Sequence, residues 1–383
     1  MDVAIVGAGF AGLALACRLA QHGLETAVIE RRAALPSSGA AITLQPNGLA
    51  ALQRLGVLER VEDAGARMRR VSVRDTSDRE LGSWDYGELD HPHPYIVGIL
   101  RHSLLSLLAE RLVELGGTPP RFDSAFEGLV GDGDPVRGVR HQRGELLARR
   151  VVAADGVGSA VRSALGIRAF AGRADPYVVG IGARPAQLCD SEALLYLGPG
   201  YGNGVMRAAA GAYFWDHVDP AVRPAVEARD FTAWRALYTE RVPCGRQVTA
   251  GLRSFDELTV LSGRLLLVGK RSVGGAVLVG DAAGAVHPHS GQGANLALED
   301  AVALGDALHA VGGSAPVPAR RLAGYSRASR RAKAVVRSAV AAKTLDAPNA
   351  AWRLVRLGTF EAGRLGPVRR ALLAEQAGVG FTS

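Results

Sequence analysis

Residues 2–7, DVAIVG, form a short apolar run without polar alternation, the pattern of a parallel strand covered on both faces. LALACRLAQHG (13–23) then repeats its apolar residues at helical spacing and stops at Gly23. ETAVIE (25–30) is a second buried-strand run that ends on Glu30. The same order returns twice. In LLARRVVAADGVGSAVRSALG (146–166) an apolar strand over 151–154 meets Asp155-Gly156, and a helix begins at Ser159 with Arg162 one turn in. In AVLVGDAAGAVHPHSGQGANLALEDAVALGDAL (276–308) a strand meets Gly280-Asp281, then a loop rich in small residues, then a long helix. Segments 71–86 and about 177–267 read differently, as alternating strands with turns. The tail over 351–376 reads as one or two helices.

Composition narrows the picture. A chain of 383 residues, 48% hydrophobic and 21% charged, has ordinary globular composition and room for about two domains. Three scattered cysteines (Cys17, Cys189, Cys244) argue against a disulfide framework or zinc site and for a reducing compartment. The net charge of +8 invites a nucleic-acid reading. The basic residues are dispersed, however, and the basic run at 320–337 carries apolar residues at helical spacing, as a solvated helix face does. The glycine-rich N-terminus has no basic leader and is broken by Arg18, so neither a signal peptide nor a membrane span is expected, and the protein is placed in the cytoplasm.

Candidate chemistry begins at Gly7-Ala8-Gly9-Phe10-Ala11-Gly12. Gly7 permits a tight turn, Gly9 lets backbone approach a pyrophosphate, and Gly12 lets helix and strand pack closely. The helix start offers free N–H groups and partial positive charge to phosphates. Glu30 can accept hydrogen bonds from a ribose 2′-hydroxyl and disfavours a 2′-phosphate there, although Arg31 and Arg32 follow it. The motif leaves FAD and NAD(H) both open. Asp281 stands at the carboxyl end of a strand, where α/β folds place ligands, among small residues that would bury it. The glycines and alanines around it suit a flat ring lying against backbone, and the start of the 295–308 helix is a second anion or carbonyl site.

GAGFAGLALACRLAQHG…VIER, GAAITLQPNGLAALQRLGV (39–57), AADGVGSAVR and GDAAG…P…GQGAN, in this order, resemble the FAD-dependent aromatic hydroxylases, the group A flavoprotein monooxygenases with the p-hydroxybenzoate hydroxylase fold. The likeness is greatest to small members such as urate, salicylate and 3-hydroxybenzoate hydroxylases, and covers roughly residues 1–60, 95–170 and 265–345. It implies an α/β fold: a Rossmann-like FAD-binding domain with an inserted mixed β-sheet substrate domain and C-terminal helices. The expected division is 1–70, 95–170 and 265–345 for FAD, 71–94 and 171–264 for substrate, and 346–383 as a helical segment. By resemblance, Gly7, Gly9, Ala11 and Gly12 hold the pyrophosphate, Glu30 and Arg31 lie at the adenosine ribose, and Thr43 lies near the flavin. Arg101 contacts the phosphate region, and Asp155, Gly156 and Arg162 serve FAD and NAD(P)H. Gly280 and Asp281 hold the ribityl chain, while Gly291, Gln292, Gly293, Ala294 and Asn295 lie along the flavin ring. Pro288 walls flavin from substrate. The implied reaction uses NADPH or NADH as a transient donor and molecular oxygen. It hydroxylates a small aromatic or phenolic substrate through a flavin C4a-hydroperoxide in a pocket that excludes water. The implied protein is a monomer or homodimer, without nucleic-acid or membrane partners.

His287 and His289 flank Pro288 and are the base candidates for a phenolic substrate; exposed loop residues are the plainer alternative. Arg184 could pair a substrate carboxylate, with a surface arginine on a strand as the plainer alternative. Of Tyr213, Phe214 and Trp215 on one strand, Tyr213 and Trp215 are the pocket candidates; alternation sends one of the three to the opposite face, and core packing is the alternative. Gly284 stands where the family usually has histidine after GDAA, and GDAAG also occurs in geranylgeranyl reductases. A reductase of conjugated or isoprenoid double bonds and a non-catalytic FAD-binding redox sensor are therefore the competing readings. A flavin halogenase is excluded, because the four tryptophans never form its W-x-W pair.

Overall fold

The computed structural model describes residues 1–37, 40–131, 135–209, 211–310, 334–338 and 366–379. Most of the basic run at 320–337 and most of the expected tail helices lie outside the described residues.

The four unbroken apolar runs become neighbours in one sheet. Val3–Val6 pairs in parallel with Thr26–Ile29 on one side and with Arg150–Ala153 on the other, and Arg150–Ala153 pairs in parallel with Ala276–Leu278. The residues of these strands are buried, which accounts for their lack of alternation. Helices Phe10–Gln21, Pro46–Leu55, Arg101–Glu114 and Gly293–Ala310 supply leucines and alanines to the core on one face of this sheet. A second core on the other face takes in Val139, Leu146 and Val161. Gly23, just past the first helix, has φ +70°, as a glycine stop requires.

The alternating segments form a separate mixed sheet of eight strands. Its middle is the antiparallel set Thr259–Val268, Ala169–Gly182, Gly211–His217, Tyr201–Ala208 and Glu192–Gly198. The hairpin Arg70–Arg74 and Glu80–Asp85 joins it through a parallel pairing of Arg70–Arg74 with Glu192–Gly198. Two distant pieces of sequence thus build one sheet.

Alternation gives that sheet two different faces. One packs Phe214 against Trp234 and Tyr238 of the Phe231–Arg241 helix, with ring centroids 6.1 and 5.3 Å away. The other carries Tyr177, Met206, Tyr213 and Trp215 and packs on Ala41 and Ile96, which belong to the small sheet Ala41–Leu44, Ile96–Leu100 and Ala66–Met68. Leu373 and Ala377, near the end of the Gly366–Gln376 helix, close over the same cluster. Among the described residues no helix is long and apolar enough to cross a membrane.

Candidate functional site

The first turn is forced by crowding. Gly7 has φ +108°, and a Cβ there would lie 2.5 Å from the Ala154 carbonyl oxygen. A Cβ at Gly12 would lie 1.9 Å from the Gly7 carbonyl oxygen. Gly9 differs: it caps the Phe10–Gln21 helix in extended conformation, and a Cβ there would meet nothing within 4 Å. No acid stands in this helix's first turn, and among the described residues its leading N–H groups have no side-chain cap. Glu30 is buried and stiffens the turn. One carboxylate oxygen accepts from the Ala8 N–H at 3.0 Å, the other from the Arg32 N–H at 3.0 Å. Arg31 is exposed.

Three segments remote in sequence close on this turn. Gly7 abuts Ala154 and the Cα of Asp155. Asp155 accepts from the Val161 N–H at 3.2 Å, while its other carboxylate oxygen is buried and accepts from no described residue. Gly156, with φ +84°, leaves open space beside it. Arg162 is buried and donates to the carbonyls of Val157 (2.8 Å) and Ala282 (3.1 Å), tying the Asp155-Gly156 segment to the Gly280-Asp281 segment. Gly280, with φ +61°, sits against Ala11, where an added Cβ would lie 2.7 Å from the Ala11 methyl. Asp281 itself is exposed rather than buried among the small residues that precede and follow it. Arg101 begins the Arg101–Glu114 helix, with its guanidinium 5.4 Å from the Phe10 ring. Desolvation and the Arg32 charge push the Arg101 pKa down, and the Asp281 carboxylate partly offsets them, so these three charges share one rim.

The Gly291–Asn295 turn is held by Asn295, which is fully buried. Its amide donates to the carbonyls of Thr43 (3.0 Å) and Gly291 (2.8 Å), and its carbonyl accepts from the Gln45 N–H at 2.9 Å. Gly48 makes room for it, since a Cβ there would lie 2.0 Å from Asn295 Oδ1. Gln292 is bonded by Asn47 and donates to the Gln376 carbonyl. Gly293 and Ala294 open the Gly293–Ala310 helix, and Gly291 takes a left-handed φ of +61°. Thr43 donates to the Met206 sulfur at 3.2 Å, which joins this turn to the eight-stranded sheet. Pro288 is exposed and would be 3.0 Å from a Cβ at Gly263.

His287 is buried and His289 half-buried, so neither is an exposed loop residue. Their Nδ1 atoms lie 2.8 Å apart. Burial, with the charges of His287 and His217, pushes the His289 pKa down to about 3. Tyr213 and Trp215 share the face toward the small sheet, 5.9 Å apart. Arg184 is not brought to them: it donates to the Leu188 carbonyl and to Asp190, within its own loop. The sequence reading missed Gln45, Asn47, Tyr177 and His217. His217 was within reach, because it continues the alternation of Tyr213 and Trp215 on the same face. Asn47 and Gln45 carry no local signal, because their partners are some 250 residues away in sequence.

The features fit an FAD-type dinucleotide. Uncapped helix N–H groups lie beside an unobstructed Gly9, an unanswered buried carboxylate oxygen stands on Asp155, and a glycine turn leads toward an apolar sheet face.

Comparison with known proteins agrees. The family model described as FAD binding domain matches residues 1–339. The 3-amino-4-hydroxybenzoate 2-monooxygenase of Streptomyces cremeus is 32% identical, over 80% of this chain and 78% of its own. The crystal structure of P. aeruginosa PqsL in complex with 2-aminobenzoylacetate superposes with a TM-score of 0.83 at 25% identity, covering 94% of this chain and 99% of that one. Klebsiella pneumoniae HpxO, solved with FAD and uric acid, shares the fold with a TM-score of 0.79 at 22% identity, covering 99% of this chain and 97% of its own. The chain belongs to the FAD-binding-domain family and, within it, to the FAD-dependent aromatic monooxygenases.

Proposed function

We propose that this monooxygenase hydroxylates a small aromatic ring bearing a hydroxyl or amino group, seated between the Gly291–Asn295 turn and the Tyr213–Trp215 face, with NADH or NADPH as donor. The observation that carries this reading is the contact of Thr43 with Met206. It sets a turn fixed by Asn295 directly against the sheet's aromatic face. The compounds named for two of the similar proteins, 3-amino-4-hydroxybenzoate and 2-aminobenzoylacetate, are both amino-substituted aromatics, which supports the substrate class.

Bound FAD supplies the electron transfer from nicotinamide and the activation of oxygen. The protein's part is placement and dryness. Gly7, Gly9 and Gly12 with the Phe10–Gln21 helix start hold the pyrophosphate, and Glu30 receives the ribose through lone pairs its two backbone contacts leave free. Asp155 and Asp281 accept from cofactor hydroxyls, and Arg101 offsets phosphate charge at the rim. Tyr177, Met206, Tyr213 and Trp215 keep water from the reacting ring, which is needed for oxygen to reach the substrate rather than escape as peroxide.

The test is the visible spectrum of the purified protein, followed by NAD(P)H oxidation against a panel of aminophenols, hydroxybenzoates and 2-aminobenzoyl compounds. Bound flavin and one aromatic that raises both NAD(P)H oxidation and hydroxylated product are expected. Bound flavin that no aromatic stimulates would transfer the protein to the reductase or sensor readings.

A further inference from the structure

We propose that Gln45 is a flavin-contacting residue: its side-chain amide, held by the Tyr86 hydroxyl, donates through Nε2 to a carbonyl of the bound flavin ring beside Gly291 and favours the reduced cofactor. It rests on the placement of the flavin along the Gly291–Asn295 turn.

Gln45 stands between the Ala41–Leu44 strand and the Pro46–Leu55 helix and is the cap residue of that helix. A polar cap side chain ordinarily turns back to the helix N–H groups. The Gln45 side chain makes no cap bond and meets Tyr86 instead. Its Oε1 accepts from the Tyr86 hydroxyl at 2.8 Å, while its backbone N–H donates to Asn295 Oδ1 at 2.9 Å. The backbone of Gln45 is thus fixed by the glycine turn and its side chain by the substrate sheet, since Tyr86 directly follows the Glu80–Asp85 strand. Tyr86 is fully buried in the cluster that holds Met206 and Tyr213. Burial pushes the Tyr86 pKa up, so the hydroxyl keeps its proton and serves Gln45 as a donor.

With Oε1 engaged by Tyr86, the amide has its N–H bonds left to give. Gln45 is only 3% exposed, yet its Nε2 donates to no described residue. Buried amide donors are rarely left so. Gly291 shows where this one points. A Cβ at Gly291 would lie 3.8 Å from Gln45 Nε2 and would meet no other atom within 4 Å outside the adjoining residues. The amide therefore borders an open space beside Gly291, on the turn that Asn295 holds.

A flavin lying along this turn carries the missing acceptors as ring carbonyls. Reduction adds negative charge to the ring, so a fixed donor at a carbonyl binds the reduced form more tightly than the oxidised one. Gln45 does this as a neutral group, without adding charge to the site. Tyr86 acts only through Gln45 and is a positioning residue.

Redox titration and infrared difference spectra of the holoenzyme test the contact without turnover. Gln45→Met keeps the length of the side chain and removes the amide. It should weaken binding of reduced relative to oxidised FAD about tenfold. For a two-electron couple that is a midpoint potential lower by about 30 mV. A flavin carbonyl band should move to higher frequency as its donor is lost. Tyr86→Phe keeps the packing, removes only the hydroxyl, and should move both readings in the same direction by less. Unchanged potential and carbonyl bands in Gln45→Met would overturn the contact, as would a shift in Tyr86→Phe alone. Should Gln45→Met not fold, Tyr86→Phe decides by the same two readings. Asn295→Ser, which loosens the turn itself, is the reference. Carbonyl bands that respond to Asn295→Ser but not to Gln45→Met overturn the contact alone, whereas bands that respond to neither remove the flavin from the turn.

Discussion

At Gly12 a single added methyl group would sit 1.9 Å from a backbone oxygen; at Trp215 a side chain lies over the cross-strand Gly204, with Tyr213 at 5.9 Å beside it. The proposed nucleotide end of the site is made of backbone pressed on backbone, and the proposed substrate end of side chains resting on a pleated sheet. The first kind of surface tolerates few residue types, because φ and close approach dictate glycine. The second tolerates any large apolar residue that keeps the alternation. Conversely, the first can bind only what fits a fixed cradle, whereas the second can be re-cut for a new ring without disturbing the cofactor.

The sharpest probe of the sheet end compares neighbours on one strand. Phe214→Ala empties a fully buried position against Trp234 and Tyr238 and should cost about 3–5 kcal/mol in denaturant unfolding. Trp215→Ala, on the opposite face and only half-buried, should cost roughly 1–2 kcal/mol. Its effect should fall instead on KM for the aromatic substrate. Equal stability losses and an unchanged KM would mean that the two faces are not divided between core and pocket.

The cradle is probed by the same substitution at two glycines. Gly12→Ala drives a methyl into the Gly7 carbonyl, so a loss of ~3 kcal/mol, at the upper end for overpacking, and poor flavin retention are expected. Gly9→Ala meets no atom within 4 Å and should cost about 1 kcal/mol or less, since alanine is only a poorer helix cap there. Its FAD affinity should nonetheless fall roughly tenfold, about 1.4 kcal/mol, because the methyl occupies the approach of the pyrophosphate. Calorimetry of the apoprotein and FAD titration separate the two outcomes. A Gly9→Ala protein that holds FAD normally would remove Gly9 from the cradle.

These contrasts explain what could be read from the sequence. Gly7 and Gly12 announce themselves because each resolves a backbone collision, Gly280 because it clears the Ala11 methyl, and the strand–turn–helix order around them is local. Two of the four apolar runs, 3–6 and 26–29, pair in register across one helix, which short-range pattern captures. Asn295 was legible as part of the GQGAN run, but its work of joining Gln45, Thr43 and Gly291 was not, since two of these lie some 250 residues away. Arg184 looked available as a cation on a strand, yet an acid six residues on claims it. Asp281 looked buried because its neighbours in sequence are small, whereas it is exposed while Gly280 and Ala282 beside it are buried.

The face of the sheet turned toward Trp234 holds a carboxylate whose titration burial dominates. Asp216 lies between Trp215 and His217 but points to the Trp234 side, where it accepts from the indole N–H at 2.8 Å. Desolvation raises its pKa to about 7, although the Trp234 bond and the Arg241 charge pull the other way. An unfolded aspartate ionises near about pH 4. Between these values the folded chain holds a proton that the unfolded chain has released, so stability is greatest below the unfolded pKa and falls as pH rises through the folded one. Asp216→Asn keeps an acceptor for Trp234 and removes the titration. Its Tm should therefore decline less than that of the wild type between pH 5 and 8, by ~2–4 °C for each kcal/mol of coupling. This is the smallest of the expected effects, because it is a slope rather than a loss of structure. It should leave KM untouched, since Trp215 and His217 face the other way; an altered KM would show that the two faces communicate through this strand.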